Sequence, residues 1–424
     1  MAGLGPVLEC AGINSALRES GAEDVRRLTI LTTSLGRGGA EAQVVLLARS
    51  FRARGWRVEV ISMVPPEAYA EDLVCAGIPV HCLRMRGGVP DPRAIFRLAR
   101  LLRQSNPHVL HCHMVHANLM GRAVRLLVGV PVVVCTAHSV REGPRWLEWA
   151  YRVTDPLCDL TTNVSHAGVE RYRHARAVPH GKIIFVPNGL DGNGYSRTAA
   201  ARREVRAALK LNGQFVWLAI GNLREPKDYP VMFEALATLA NHPRQHRLLI
   251  AGVGVLEDEL RDLAVRWNLS SRVHWLGGRT DVSRLISAAD AFVMSSRIEG
   301  TPMALLEAAA GELPAVATRV GGIPEVVEDQ RSGYLVSRGD ARALADAMDR
   351  LMKLSESERL NMGRAARKRV LSRYDIQTVI AEWDGIYNHL LGTGFGEQRF
   401  ATSVARVGRG KPALASKVHW VGRD

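Results

Sequence analysis

The stretch SSRIEGTPMALLEAAAG, residues 295–311, joins the end of a strand to the start of a helix. The apolar segment that leads into it is typical of a buried strand, and the Ala/Leu run that closes it has high helix propensity. Thr301 is the expected N-cap of this helix. Glu299 then lies in the turn, and Glu307 lies about one and a half turns into the helix.

Such a turn has a defined place in a parallel sheet. The edge where strands pass into helices binds ligands, and the first amides of a helix attract negative charge. Two carboxylates there, Glu299 and Glu307, indicate a ligand that carries hydroxyl groups as well as phosphate. The alternative is one solvated glutamate and one glutamate on the helix surface.

Strand-like and helix-like segments alternate along nearly the whole chain, which predicts an α/β protein with parallel sheets covered by helices. The strand-like segments are RLTILTTS, VEVISMV, IPVHCLRM, HVLHCHM, PVVVCTAH and LTTNVS in the first half, and FVWLAIGN, RLLIAGVG, VHWLGG, AFVMSS and PAVATRVGG in the second. The two halves therefore follow the same scheme.

A segment rich in Gly and Asn, VPNGLDGNGY, separates the halves and is the expected interdomain linker. Near the end, Ser355 and Glu358 have the spacing of a capping box that opens a basic helix. The predicted divisions are an N-terminal extension at 1–26, a first domain at 27–190 completed by a helix at 375–391, a second domain at 191–374, and a basic tail of low order at 392–424.

Composition narrows the class of protein. The chain has 424 residues, of which 47% are hydrophobic and 23% charged, as in soluble proteins of two or three domains. The longest apolar run, 126–137, is too short to cross a bilayer, and the N-terminus lacks the features of a secretion signal. The six cysteines form no CxxC pair, so reduced thiols and a cytoplasmic protein are expected.

The net charge of +14 is uneven along the chain. Residues 1–190 carry 23 Lys/Arg against 15 Asp/Glu, residues 191–391 carry 27 against 25, and residues 392–424 carry 6 against 2. The first half and the tail are therefore expected to favour an anionic surface, such as the inner face of a membrane. No nucleic-acid-binding module is recognisable, so nucleic acid is not an expected partner.

The segment DPRAIFRLARLLRQ, residues 91–104, is a candidate for membrane contact because it interleaves arginines with Ile, Phe and Leu at helical spacing. The alternative is an ordinary amphipathic helix that packs on the sheet and leaves its arginines in solvent.

A glycine-rich turn, SLGRGGAEAQ, follows the first strand and leads into a helix. Gly38 and Gly39 allow close approach of a ligand, and the helix amides behind them can bind phosphate. The turn matches the dinucleotide fingerprint loosely, because Glu41 stands at the position of the last glycine. A simple tight turn is the alternative.

Several histidines and cations stand at strand ends. His111, His113 and His116 are close in sequence, but no acidic ligand is near them, so a strand end with three histidines is favoured over a zinc site. His138 ends a buried strand at the ligand edge, where it either contacts a ligand or is a structural histidine.

The turn after the first strand of the second half, GNLREPKDYP, places two cations at the ligand edge. Arg224 and Lys227 are suited to neutralising a diphosphate, and the lysine can stabilise a leaving phosphate. The alternative is a pair of exposed loop residues.

Together these motifs resemble those of retaining glycosyltransferases of the GT-B type, in the group 1 or family 4 set, over roughly residues 28–391. The matching motifs, in the expected order, are GGAE, HCHMVHANLMGR, TAHS, VPNGLD, GNLREPK, the E-x7-E pair and VGGIPEVV. The resemblance implies two Rossmann-like domains that face each other across a cleft. It also implies transfer of a sugar from a nucleotide-diphosphate sugar to a glycan, glycolipid or lipid-linked acceptor in cell-surface polysaccharide or glycoconjugate synthesis.

The same resemblance implies roles for the acidic and basic residues. Glu299 would hold a hydroxyl of the donor sugar, and Glu307 the ribose hydroxyls. Lys227 and an arginine would bind the departing diphosphate. His138 would contact the donor sugar near the reacting carbon.

Backbone amides and glycines complete the implied donor site. The amides of Gly300, Thr301 and Met303 would approach the sugar and the diphosphate. Gly38 and Gly39 would close over the phosphates from the other domain.

One departure from the family pattern concerns the diphosphate. The family commonly has G-R-L-x-x-x-K-G, whereas here Asn222 replaces the arginine and Asp228 the final glycine. Side chains two apart on a strand point the same way, so Arg224 is expected to supply the missing charge. The substitution leaves open a protein that binds nucleotide sugars without turnover, and a nucleotide-sugar epimerase is the other alternative.

The implied reaction needs no cofactor. No carboxylate pair brackets the expected anomeric carbon, so the family's front-face route, in which the leaving phosphate accepts the acceptor's proton, is expected. The ligand loops contain no Asp-x-Asp motif, and no metal is expected.

Overall fold

The computed structural model describes residues 25–211 and 213–392. Most of the predicted N-terminal extension and nearly all of the predicted tail lie outside these ranges.

The first sheet contains seven parallel strands in the order β3-β2-β1-β4-β5-β6-β7. Its strands are β1 Arg27–Thr32, β2 Arg57–Ser62, β3 Val80–Cys82, β4 Val109–His113, β5 Val132–Ala137, β6 Leu160–Asn163 and β7 Ile183–Phe185. Its helices are α1 Gly39–Ala53, α2 Ala70–Cys75, α3 Ala94–Ser105, α4 Val115–Val124, α5 Arg145–Thr154 and α6 His166–His174.

Both faces of this sheet are covered, so its central strands β1, β4 and β5 are buried at nearly every position. Alternate residues of β1 enter different cores: Ile30 packs in the cluster with α1, and Leu31 packs in the cluster with α3 and α4.

The second sheet contains six parallel strands in the order β10-β9-β8-β11-β12-β13. Its strands are β8 Phe215–Ile220, β9 His246–Ala251, β10 Val273–Gly277, β11 Ala291–Met294, β12 Ala315–Thr318 and β13 Gly333–Val336. Its helices are α7 Ala199–Ala208, α8 Tyr229–Thr238, α9 Glu257–Arg266, α10 Val282–Ala288, α11 Met303–Ala310, α12 Ile323–Val326, α13 Ala341–Lys353 and α14 Glu356–Tyr374, and the chain then forms α15 Ile376–Gly392. The predicted α/β class with two wound halves is confirmed.

The chain crosses between the two sheets twice, and the crossings are bonded to each other. The amide of Leu190 donates to the carbonyl of Tyr374 at 2.7 Å, and the amide of Ile376 donates to the carbonyl of Leu190 at 3.0 Å. Helix α15 then returns to the first sheet, where Trp383 and Tyr387 are buried in the cluster of β1 and α1. The first core therefore includes residues from both ends of the chain.

No helix in the described part of the chain combines the length and the apolar character needed to cross a membrane.

Candidate functional site

Loops from the carboxyl ends of both sheets touch each other. A methyl group in place of hydrogen at Gly300, after β11, would lie 2.1 Å from the carbonyl oxygen of His138, after β5. The hydroxyl of Thr301 donates to the carbonyl of Val164 at 2.5 Å, and the side-chain amide Nδ2 of Asn188 donates to the carbonyl of Thr301 at 3.2 Å. The absence of a side chain at Gly300 thus permits the contact between the domains.

This contact corrects the role predicted for Thr301. Helix α11 begins at Met303 with Pro302 in the N-cap position, and no side chain caps it. The Thr301 hydroxyl bonds the facing domain instead, so it is unavailable to the helix. A tertiary contact has replaced the local cap that the sequence pattern favoured.

Lys227 and Glu299 form an ion pair at the same edge. Nζ of Lys227 lies 2.5 Å from Oε1 of Glu299, and the hydroxyl of Ser296 donates to that oxygen at 2.7 Å. The turn after β8 and the turn after β11 are thereby joined. The ammonium and the carboxylate are therefore close enough for a single ligand to contact both.

Glu307 lies deeper on α11. The hydroxyl of Tyr195 donates to Oε1 of Glu307 at 3.1 Å. Although part of the side chain is exposed, surrounding protein displaces most of its water. This burial raises the pKa of Glu307 to about 7, and the Tyr195 hydrogen bond opposes the rise. The carboxyl group therefore changes charge near neutral pH.

His138 is paired with a second histidine. Its Nε2 lies 2.9 Å from Nδ1 of His113, because β4 and β5 are neighbours and both residues stand at the carboxyl ends of their strands. Burial lowers the pKa of His138 to about 4 and that of His113 well below its ordinary value, so the pair is neutral and shares one proton between the two nitrogens. Within the described residues, Nδ1 of His138 has no hydrogen-bond partner.

The three histidines of the HCHMVH motif are not assembled as one site. His111 is bonded to the hydroxyls of Tyr387 and Thr136, both at 2.7 Å, which makes it structural. His116 is exposed on α4, away from the buried His111 and His113. Among residues 25–211 and 213–392, no group of three potential ligands could hold a metal ion.

The glycine turn of the first domain reaches the second. A methyl group at Gly39 would lie 3.1 Å from Cγ of Met303, the first residue of α11. At Gly38 a methyl group would collide with the side chain of Glu41, which accepts a hydrogen bond from Ser34 at 2.7 Å. The Glu41 carboxylate thus stabilises the turn, and Gly39 closes it against the opposite domain.

The structure shows the conformation of Asp228, which replaces the family glycine, and the position of Arg224, which is expected to replace the family arginine. Asp228 has φ of 49°, a left-handed conformation that glycine adopts freely and aspartate tolerates. Its buried carboxylate forms two bonds with Arg297, at 2.7 and 3.0 Å. Arg224 is exposed, and within the described residues its side chain forms no ion pair. The structure thus leaves the guanidinium of Arg224 available to a ligand.

Glu142, which no sequence motif singles out, anchors the loop of His138. Its Oε1 accepts the His138 amide at 2.8 Å, and its Oε2 accepts the hydroxyls of Tyr151 and Tyr172 at 3.3 and 3.4 Å. Burial raises the pKa of Glu142 to about 7 against the effect of these hydrogen bonds. Nothing in the local sequence signals this role, because both tyrosines come from later helices.

Glu325 of the VGGIPEVV motif also connects the two domains. Its Oε1 accepts the amide of His166, at the start of α6, at 2.7 Å. A carboxylate from the second domain therefore lies at the positive end of a helix of the first.

The arginines of α3 occupy its outer side. Leu98 and Leu102 are buried against the sheet, Arg97 pairs with Asp91 at 2.5 Å, and Arg103 donates to a carbonyl at 2.9 Å. Most apolar side chains of α3 therefore face inward, as in the alternative of an amphipathic helix that packs on the sheet.

Two family models match the chain. The model described as Glycosyl transferases group 1 matches residues 201–369, and the model described as Glycosyltransferase Family 4 matches residues 37–193. Together they cover both halves that the fold defines.

Curated relatives extend the match. The chain is 28% identical over 334 residues, 74% of its own length and 83% of the relative's, to an Escherichia coli protein named UDP-Gal:alpha-D-GlcNAc-diphosphoundecaprenol alpha-1,3-galactosyltransferase. It is 27% identical over 302 residues, 70% and 78% of the two lengths, to the N-acetyl-alpha-D-glucosaminyl L-malate synthase of Bacillus anthracis.

Solved structures share the fold. Anabaena Alr3699/HepE in complex with UDP and glucose superposes with a TM-score of 0.77 at 19% identity, covering 86% of this chain and 100% of that one. Sucrose-phosphate synthase from Thermosynechococcus elongatus gives 0.75 at 20% identity, with coverage of 87% and 100%. The chain belongs to the group 1 glycosyltransferases, and it is an enzyme of glycosyl transfer with the GT-B fold.

Proposed function

We propose that the enzyme transfers a sugar from a nucleotide-diphosphate sugar to a glycan, glycolipid or lipid-linked acceptor, with the anomeric configuration retained. The observation that carries the proposal is the Lys227–Glu299 ion pair at 2.5 Å, in loops that meet the His138 loop of the opposite domain. A cation for a leaving phosphate and an acceptor for a sugar hydroxyl are adjacent there.

The donor lies along α11 in this proposal. Glu307, with the Tyr195 hydroxyl beside it, accepts the ribose hydroxyls, and Glu299 accepts a hydroxyl of the sugar. The amides of Gly300, Thr301 and Met303 face the sugar and the diphosphate, at the start of a helix that favours anions.

The opposite domain contributes to the same donor site. The partly buried His138 side chain, whose Nδ1 has no partner within the described residues, contacts the donor sugar near the reacting carbon in this proposal. Gly38 and Gly39 approach the phosphates from the turn before α1.

Transfer proceeds on one face of the sugar. The bond between the anomeric carbon and the phosphate oxygen breaks, the acceptor oxygen bonds to the same face, and its proton passes to the leaving phosphate. Lys227 and Arg224 stabilise the charge that develops on the diphosphate. No metal or cofactor takes part in this route, so EDTA is expected to leave turnover unchanged.

The acceptor in this proposal is lipid-linked and binds the first domain. One relative is named for transfer to a diphosphoundecaprenol-linked sugar, and another for transfer to a phosphatidylinositol mannoside. The excess of basic residues in the first half of the chain suits an acceptor at an anionic membrane. We place the enzyme in the cytoplasm, peripheral to the inner face of the membrane.

A thermal-shift screen of UDP- and GDP-linked sugars tests the donor. A ligand that binds only the folded protein stabilises it by about 2.7 kcal/mol at one hundred times its Kd. We expect one class of nucleotide sugar to raise the unfolding temperature by several degrees, and Glu307→Ala to remove the shift. If no nucleotide sugar shifts the wild-type protein, the proposed donor is wrong.

A further inference from the structure

Helix α5 exposes an apolar stripe. Trp146 and Trp149 are 61% and 64% exposed, and Val153 is also exposed. The three residues are spaced by three and four positions, so they lie on one face of the helix. The opposite face, with Leu147 and Tyr151, is buried in the first domain. The stripe is therefore additional to the residues that hold α5 in place.

Other exposed apolar residues lie on or next to the neighbouring helices. Helix α4 contacts both α3 and α5, and Leu126 and Leu127, which follow its last residue, are exposed. On α3, Phe96 is exposed in the first turn, and Arg103, in the last turn, donates to the carbonyl of Leu127 at 2.9 Å. We call Trp146, Trp149 and Val153, which share one face of α5, the α5 surface. Large apolar side chains exposed together on one helix face mark an interaction site.

The charges around the stripe are positive. Arg145 and Arg152 are exposed on α5, and Arg141 is exposed in the loop before it. The one acidic residue of α5, Glu148, is paired with Arg171 at 2.6 Å. A partner of the α5 surface therefore meets tryptophans flanked by Arg141, Arg145 and Arg152, which form no ion pair with any residue that the structure describes.

We propose that the α5 surface docks the enzyme on an anionic phospholipid bilayer. Indole rings favour the region between headgroups and acyl chains, and flanking arginines reach anionic headgroups while their stems cover apolar surface. An anionic bilayer offers an apolar interior to the tryptophans and negative headgroups to the arginines. A purely apolar partner would leave the arginines without a counter-charge. The α3 arginines then contribute at the side of the surface rather than at its centre.

The position of the helix relates the membrane to the site. Helix α5 begins directly after the loop that carries His138, so Trp146 in its first turn lies at the ligand edge of the first sheet. A docked α5 holds this edge near the headgroups, where a lipid-linked acceptor is found. This link to a lipid-linked acceptor rests on the proposed function. Docking of the α5 surface does not, because it requires no glycosyl transfer.

The test is sedimentation of the full-length chain with vesicles, without donor or acceptor. Vesicles of phosphatidylglycerol mixed with phosphatidylcholine are compared with vesicles of phosphatidylcholine alone. We expect stronger binding to the anionic vesicles, weakening as salt rises. The double variant Trp146→Ala/Trp149→Ala is expected to bind at least about tenfold more weakly, because it loses two large side chains from the bilayer.

A matched variant tests whether removing an exposed tryptophan elsewhere in the chain also weakens vesicle binding. Trp267, 39% exposed after α9 in the second domain, is replaced by alanine, and vesicle binding should not change. Arg145→Glu should weaken binding to the anionic vesicles alone. Because Trp146 and Trp149 are exposed, the double variant should keep the wild-type unfolding temperature.

Three results would overturn the proposal. They are equal binding by the double variant and wild type, no binding of wild type to either vesicle, and wild-type self-association that the double variant abolishes. The last would assign the α5 surface to a second copy of the chain. If the chain binds anionic vesicles as predicted but turns over no nucleotide sugar, the proposed function is wrong and the docking proposal stands.

Discussion

Replacing Lys227 by methionine removes the cation of the ion pair with Glu299 and keeps most of the side-chain length. The Lys227 side chain is 24% exposed and that of Glu299 is 10% exposed, so the ion pair is intermediate between an exposed and a buried salt bridge. Its loss should therefore cost about 1–2 kcal/mol of folding free energy. Ser296 still donates to the remaining carboxylate, which limits the cost.

The expected loss of activity is much larger. An ammonium that stabilises charge on a leaving group contributes about 3–4 kcal/mol to the barrier, so kcat should fall about 10²- to 10³-fold. A protein of ordinary stability, about 5–15 kcal/mol, stays more than about 99% folded after losing 2 kcal/mol. Unfolding cannot account for a loss of this size.

Initial rates of donor consumption with a saturating acceptor measure the effect. Lys353→Met is the matched control, because it removes the same side chain from a 2.7 Å ion pair with Asp349, on α13. The control should keep wild-type kcat. If Lys227→Met retains more than about a third of wild-type kcat, charge stabilisation by Lys227 is the wrong explanation.

Further changes test other parts of the site. Gly300→Ala introduces a methyl group 2.1 Å from a backbone carbonyl of the facing domain, so kcat should fall about tenfold or more, whereas Gly194→Ala, which meets nothing within 4 Å, should be neutral; equal rates in both would contradict the close contact. Burial raises the pKa of Glu307 to about 7, so donor affinity, measured by calorimetry, should increase as the pH rises through 7, and Glu307→Gln should lose this dependence. The same raised pKa means that wild type loses stability relative to Glu307→Gln as pH rises from 4.5 to 7, since only the folded state holds that proton there; parallel stability curves would argue against the shift. Arg224→Ala should lower the transfer rate about tenfold, and adding Asn222→Arg should restore it; a silent Arg224→Ala would show that Arg224 does not replace the family arginine.

The sequence predicted the fold well where the signal is local. Every strand predicted from an apolar run is present, and the capping box of Ser355 and Glu358 forms as expected. The two strands that it missed, β7 and β13, are short and stand at the outer edge of each sheet. An edge strand of three or four residues lacks the long apolar run of a central strand, because only part of it is buried.

The site was harder to predict where partners are distant in sequence. The pairing of Lys227 with Glu299 and of Asp228 with Arg297 joins turns about seventy positions apart, and no periodicity reports such a contact. The His113–His138 pair could have been found, because both residues end adjacent parallel strands.

The exposed face of α5 could not be found from the sequence alone. Its tryptophans alternate with buried residues, as they would in a helix packed on both sides, and only the tertiary structure shows which face is uncovered.

The measurement that tests the central claim most directly is the anomeric configuration of the transferred sugar. The wild-type enzyme is incubated with a nucleotide sugar identified by the thermal-shift screen and with a lipid-linked acceptor, and the product is examined by NMR. We predict an acceptor-linked sugar with the configuration it had in the donor, and no product with Glu299→Ala. A product of inverted configuration, or an epimerised donor with no transfer, would contradict the account.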